Sequence, residues 1–172
     1  MRHLWKGAGR ALLVAALVSG MTGCGGTGAP AREQTLTLEL DGKPLAFNAG
    51  LSANDPPAGE TVHFVTVGGH LDDDPMSPGF DFQLVSPGVA LGTYSSDSAE
   101  LHANYYVQTG PGNTTVYTTD RHGARFTMTL TEMDADGVAG TFSGALRLLG
   151  AGDDGPVMTV RNGRFSARYN GR

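Results

Sequence analysis

One cysteine, Cys24, is all that 172 residues contain. An intrachain disulfide is thereby excluded, as is any metal site built from several thiolates. Lysine is almost as scarce, with Lys6 and Lys43 alone, and acids outnumber bases by 17 to 12. Phosphate binding needs a basic face, so no nucleic-acid partner is expected. Nor is there an apolar run near the roughly 20 residues that cross a bilayer as a helix; ALLVAALV at residues 11–18 is the longest. No serine sits in a G-x-S-x-G elbow, which removes the commonest strand-to-helix nucleophile turn. Beyond Cys24 no window keeps a helical period, because Gly or Pro interrupts most candidates.

What the chain does have begins at its start. Arg2, Lys6 and Arg10 precede the apolar run without any acid, and the small residues Ser19 and Gly20 follow it. That is the three-part layout of an export signal. Met21, Thr22 and Gly23 then lead directly into Cys24, and this segment resembles the lipobox of bacterial lipoproteins, with Met21 a less usual choice than leucine. The resemblance implies that residues 1–23 are a signal peptide, cut before Cys24. It also implies that the Cys24 thiol receives a diacylglycerol and the new amine is acylated. Two or three chains, at about 0.8 kcal/mol per buried methylene, hold a protein to a membrane almost permanently. Gly25 stands where Asp would signal retention at the inner membrane, so the expected address is the cell envelope, the outer membrane in a diderm cell.

Cleavage before Cys24 would leave 149 of the 172 residues, enough for one domain with a sizeable core. Losing Arg2, Lys6 and Arg10 leaves nine bases against 17 acids, a net charge near −8. Such acidity disfavours docking on anionic lipid, so attachment falls to the acyl chains. Residues 24–33 are read as the lipidated cysteine and a flexible tether; the seven residues GGTGAPA at 25–31 give a coil reach of roughly 15 Å. Residues 34–172 are read as a single β domain.

Within that domain short alternating runs are punctuated by turn formers. Leu36, Leu38 and Leu40 alternate with polar residues, and Asp41-Gly42-Lys43-Pro44 then turns the chain into 45–48, a strand followed by a hairpin signal. Similar runs occupy 61–67, 80–85, 100–108, 114–119 and 125–131. In the last, Phe126, Met128 and Leu130 face one way against Thr127, Thr129 and Thr131. Asp134-Ala135-Asp136-Gly137 separates it from 138–148, and a further turn leads to 157–160. Beyond Asn162-Gly163 the apolar parity flips, from Met158 and Val160 to Phe165, Ala167 and Tyr169. A flip needs a two-residue hairpin or a bulge, and Asn-Gly suits both. The expected fold is all-β and mostly antiparallel, a sandwich or small barrel of roughly eight to ten strands.

Gly92-Thr93-Tyr94, Ala103-Asn104-Tyr105, Gly140-Thr141-Phe142-Ser143 and Asn162-Gly163-Arg164-Phe165 follow one another along the chain. In this order they resemble a family of uncharacterised β-rich lipoprotein domains, over roughly residues 35–169. That resemblance implies a β fold and brings no activity with it.

Candidate chemistry is sparse. His70, Asp72, Asp73 and Asp74 form the densest group of potential ligands. Successive side chains point in different directions, however, so a solvated acidic loop is the simpler reading. Asp134-Ala135-Asp136-Gly137 opens like a calcium loop but lacks its later ligands, including the closing Glu. His63, His70, His102 and His122 share no i+2 or i+4 spacing, so no metal or cofactor is expected. Glu100 and Glu132 are the carboxylates a glycoside hydrolase would need on opposing strands. Tyr105 and Tyr106 are adjacent in a strand and must face opposite ways, one of them outward as a possible platform for a glycan or an envelope protein. The expectation is a non-enzymatic, membrane-anchored binding or accessory module, with lipidation at Cys24 and His70, Asp72, Asp73, Asp74, Tyr105 and Tyr106 as ligand-binding candidates. The alternatives are a hydrolase of envelope or extracellular polymer, and a calycin-like carrier with an empty apolar barrel.

Overall fold

A computed structural model describes residues 32–54, 61–97, 100–119 and 123–170. The export signal, the lipobox with Cys24 and the tether through Ala31 lie outside the described residues, as does His122. Eleven strands follow: β1 (Thr35–Leu40), β2 (Lys43–Ala46), β3 (Ala49–Ala53), β4 (Phe64–His70), β5 (Gly79–Val85), β6 (Gly92–Ser95), β7 (Glu100–Gly110), β8 (Asn113–Thr118), β9 (Phe126–Met133), β10 (Gly137–Leu148) and β11 (Val157–Arg168). The fold is all-β, as the alternation predicts. One strand more than the expected range arises because β3 and β6 carry no readable alternation, while 157–160 and 165–169 belong to one strand.

Every ladder between strands is antiparallel, in the order β2-β1-β11-β10-β8-β7-β5-β4-β3, with β9 on β10 and β6 on β9. β10 serves two neighbours on one side. Its first part pairs β9, from Val138 opposite Met133 to Gly144 opposite Phe126, and Arg147 and Leu148 then pair β8. The sheet therefore folds over itself at β10 into a sandwich-like arrangement. The ladder does not close into a barrel; β3 reaches β11's end through a single parallel bridge, Ala53 to Tyr169.

Two turns set the register as the sequence requires. Asp41 and Gly42 have φ of 50° and 81°, the double left-handed pair of a two-residue hairpin between β1 and β2. At Asn162, with φ of 52°, β11 carries one extra residue that both partners register. Thr37 and Glu39 of β1 oppose Arg164 and Arg161, while Phe142 and Gly144 of β10 oppose Gly163 and Val160. The parity flip is thus a bulge inside a continuous strand. It turns Phe165 and Ala167 toward the same interior as Val160.

That interior is aromatic. Six of the seven phenylalanines are buried. Phe82 of β5 meets Phe165 of β11 edge-on at 4.8 Å, and Phe80 stacks on Phe142 of β10 at 5.4 Å. Phe126 and Phe47 complete the row, each stabilising by roughly 2–3 kcal/mol through removal from water. At the outer end of β9, Arg32 donates to Glu132 at 3.1 Å and to Asp134 at 2.6 Å, which holds the chain to this hairpin from just before β1.

Candidate functional site

The four strands β4, β5, β7 and β8 pair in a register that lines up the residues of their non-core face in rows, with Gly79 and Thr118 covered by neighbouring side chains. One row runs Gly68, Asp81, Asn104, Thr118, and continues to Arg147 of β10. The next runs His70, Gly79, Tyr106, Val116. Alternation of side chains across the strand puts both rows on the face opposite the aromatic interior.

In this setting His70 and Tyr106 come together. Gly79 lies between them, and because a Cβ there would overlap the tyrosine ring, only glycine lets Tyr106 lie down across β5. The two rings meet edge-to-face at 5.8 Å and 81°. His70 Nδ1 is 3.4 Å from the Ser77 carbonyl oxygen, so the loop after β4 helps to orient the imidazole. Beside them Asn104 donates through Nδ2 to Asp81 Oδ1 at 2.9 Å. Burial pushes the Asp81 carboxyl above its ordinary value, against the lowering effects of the Asn104 hydrogen bond and the His70 charge. The Tyr106 phenol is raised too, first by burial and then by the Asp81 charge.

The other candidates fall elsewhere. Asp72 Oδ1 accepts from the Asp74 N–H at 3.0 Å, and Asp74 Oδ1 accepts from the Met76 N–H at 2.9 Å, so two of the three carboxylates serve the loop's own turns. The Asp72 N–H donates to the hydroxyl of buried Ser77, fixing the loop further. Asp73 is exposed. These acids line a shallow groove of about 260 Å³ together with Ala49, Gly50, His70 and Pro75. Tyr105 faces the interior, edge-on to Phe47 at 6.2 Å and tilted against Tyr117 at 6.4 Å. The structure therefore joins His70 to Tyr106, sets the acidic loop at one side, and separates Tyr105 from both.

Among the described residues no group of three or more His, Cys, Asp or Glu side chains is placed to hold a metal ion. Asp134 closes the β9–β10 turn, accepting from the backbone N–H groups of Asp136 and Gly137. Those bonds, and then Arg32, hold its carboxyl below the usual value. Glu132 pairs with Arg32 on that hairpin.

Asp81 and Asn104 were not visible as a pair in the sequence. They are 23 residues apart, and only the β5–β7 register makes them opposite. Alternation on the two strands, with Phe80, Phe82 and Leu84 in and Asp81 and Gln83 out, was the signal that could have marked Asp81 as outward. No protein family matches the chain, and neither a curated protein nor a solved structure does.

Proposed function

We propose that this protein is a lipid-anchored lipoprotein of the cell envelope whose β domain is a non-enzymatic binding module. One observation carries the anchor: Met21-Thr22-Gly23-Cys24 placed directly after a charged and then apolar segment too short to span a bilayer. The acylated cysteine supplies all the membrane affinity, and the acidic domain supplies none. Binding is favoured over the carrier because aromatic rings occupy the space in which a carried ligand would sit. Binding is favoured over hydrolysis because Glu132 is engaged by Arg32 at the β9–β10 hairpin, whereas the outward cluster around Asp81 offers a single carboxylate.

Cys24→Ser tests the anchor. In cells fed a clickable palmitate analogue, the wild-type chain should be labelled and sediment with membranes, and the variant should lose label and appear in the soluble fraction. A variant that stays labelled and membrane-bound overturns the reading.

A further inference from the structure

The groups on the outer face of β4, β5 and β7 differ in kind from those on the other exposed strands. β9 and β10 present Thr127, Thr129, Thr141 and Ser143 outward, hydroxyls that line a shallow groove of about 300 Å³ without a carboxylate or an aromatic platform among them. On β5 and β7, by contrast, a half-buried carboxylate, an amide and a tyrosine ring converge with the imidazole at the end of β4. Gly68 adds a dimple directly across from Asp81, since a Cβ there would stand 3.1 Å from the Asp81 Cβ.

The donors and acceptors select the ligand. Ionised Asp81 can only accept, whereas Asn104 uses one N–H on Asp81 and retains a second N–H and a carbonyl oxygen. A metal ion would need more ligands of its own kind, and among the described residues none gather there. An anion would meet the Asp81 charge. An ammonium group, which only donates, would leave the second Asn104 N–H unanswered. A hydroxyl both donates and accepts, so two adjacent hydroxyls satisfy Asp81 and Asn104 together. Tyr106 is two residues beyond Asn104 on the same face, about 6.6 Å along the strand, a spacing that a sugar residue with its substituent hydroxyls can bridge. Its ring lies across Gly79 and stays partly exposed, which leaves apolar ring surface for C–H groups.

We propose that this patch binds one sugar residue of a glycan, with Asp81 and Asn104 hydrogen-bonded to a vicinal diol and Tyr106, braced by His70, packed on the sugar's C–H face. The inference rests on the binding-module reading and names its ligand class; it is independent of the lipid anchor. The cost of holding Asp81 there supports it. Burial disfavours the carboxylate, so a residue kept for architecture alone would be better as an amide.

The test is saturation-transfer NMR on the full chain in a sugar-free zwitterionic detergent, with maltose, lactose and mannobiose as probes at about 10 mM and butylammonium for comparison. At least one disaccharide should receive saturation. Asp81→Asn and Asn104→Ala should each weaken its binding by about tenfold or more, while Thr129→Ala on the outer face of β9 leaves it unchanged. Asp81→Asn should also unfold at the same or a higher urea concentration than wild type, which separates lost recognition from lost fold. Saturation of none of the three sugars, saturation of butylammonium alone, or sugar binding that survives Asp81→Asn overturns the proposal. Any of these outcomes leaves the Cys24 test, and with it the anchor, standing.

Discussion

Phe142 is the side chain on which the two halves of the sandwich meet. Its ring lies 5.4 Å from Phe80, 5.5 Å from Phe82, 5.7 Å from Phe126 and 6.2 Å from Phe165, and it is 4 % exposed. Truncation of a buried phenylalanine to alanine costs about 3–5 kcal/mol, through lost transfer energy and the cavity left behind. Four rings surround this one, and rings anchored on three different strands, β5, β9 and β11, cannot all collapse into the hole. Phe142→Ala is therefore expected near the upper end, about 4–5 kcal/mol, and Phe142→Leu near 1–2 kcal/mol. Against a total of about 5–15 kcal/mol for a domain of this kind, the alanine variant would lose roughly a third or more of its stability. Equilibrium urea unfolding followed by tyrosine fluorescence measures it. With m near 2 kcal/mol/M the midpoint should fall by roughly 2 M while m itself is unchanged. Phe64→Ala is the internal control: Phe64 is 39 % exposed and its loss should cost under about 1 kcal/mol. If Phe142→Ala costs no more than the control, the packing across the sandwich has been misread.

Two further outcomes follow from the same contacts. Gly163 lies against Phe142, where an added Cβ would overlap the ring, so Gly163→Ala should destabilise by about 1–3 kcal/mol and recover part of that loss when combined with Phe142→Leu in a double-mutant cycle. The two shifted carboxyls should act on stability in opposite directions with pH. Asp134 is lowered, so its contribution is present above the ordinary value of 3.8 and is lost as pH falls through its folded value; its side chain is 55 % exposed, which keeps the effect under about 1 kcal/mol. Asp81 is raised, so its burial cost is relieved as pH falls through its folded value toward the ordinary 3.8. Urea midpoints measured from about pH 7 down to about pH 3 should show Arg32→Ala shrinking the acid loss and Asp81→Asn abolishing the opposing gain.

Much of this fold was legible because the chain punctuates itself. Asp41-Gly42 announced a two-residue hairpin, and the Phe126, Met128, Leu130 alternation announced β9. Asn162-Gly163 announced a change of parity but not its cause. A hairpin and a bulge both flip the apolar face, and only pairing of β11 with β1 and β10 on both sides of the bulge decides between them. β3 and β6 were silent for a different reason. AGLSA and GTYS contain few large side chains, and their pairing is imposed by the neighbours β4 and β9. The site was half legible: His70 and Tyr106 could be named, but nothing local says that Gly79 lets their rings touch or that Asp81 faces Asn104. The acidic run at Asp72, Asp73 and Asp74 drew attention by composition, whereas its carboxylates largely serve backbone turns.

The place of β11 governs the order in which this molecule can be made. It is the last strand of the sheet in sequence and lies between β1, the first, and β10. A chain synthesised amino end first therefore delivers β1 and β2 long before the partner that covers β1. The intervening loop closure spans more than a hundred residues, and contacts of such separation make folding slow. Until residues 157–168 arrive, Leu36, Leu38 and Leu40 have no finished interior to enter, and the early strands present unpaired edges to whatever is near. The final dozen residues of the sheet thus act as its keystone. A chain stopped short of them would be held open with its first hairpin already formed, a natural target for chaperones and proteases.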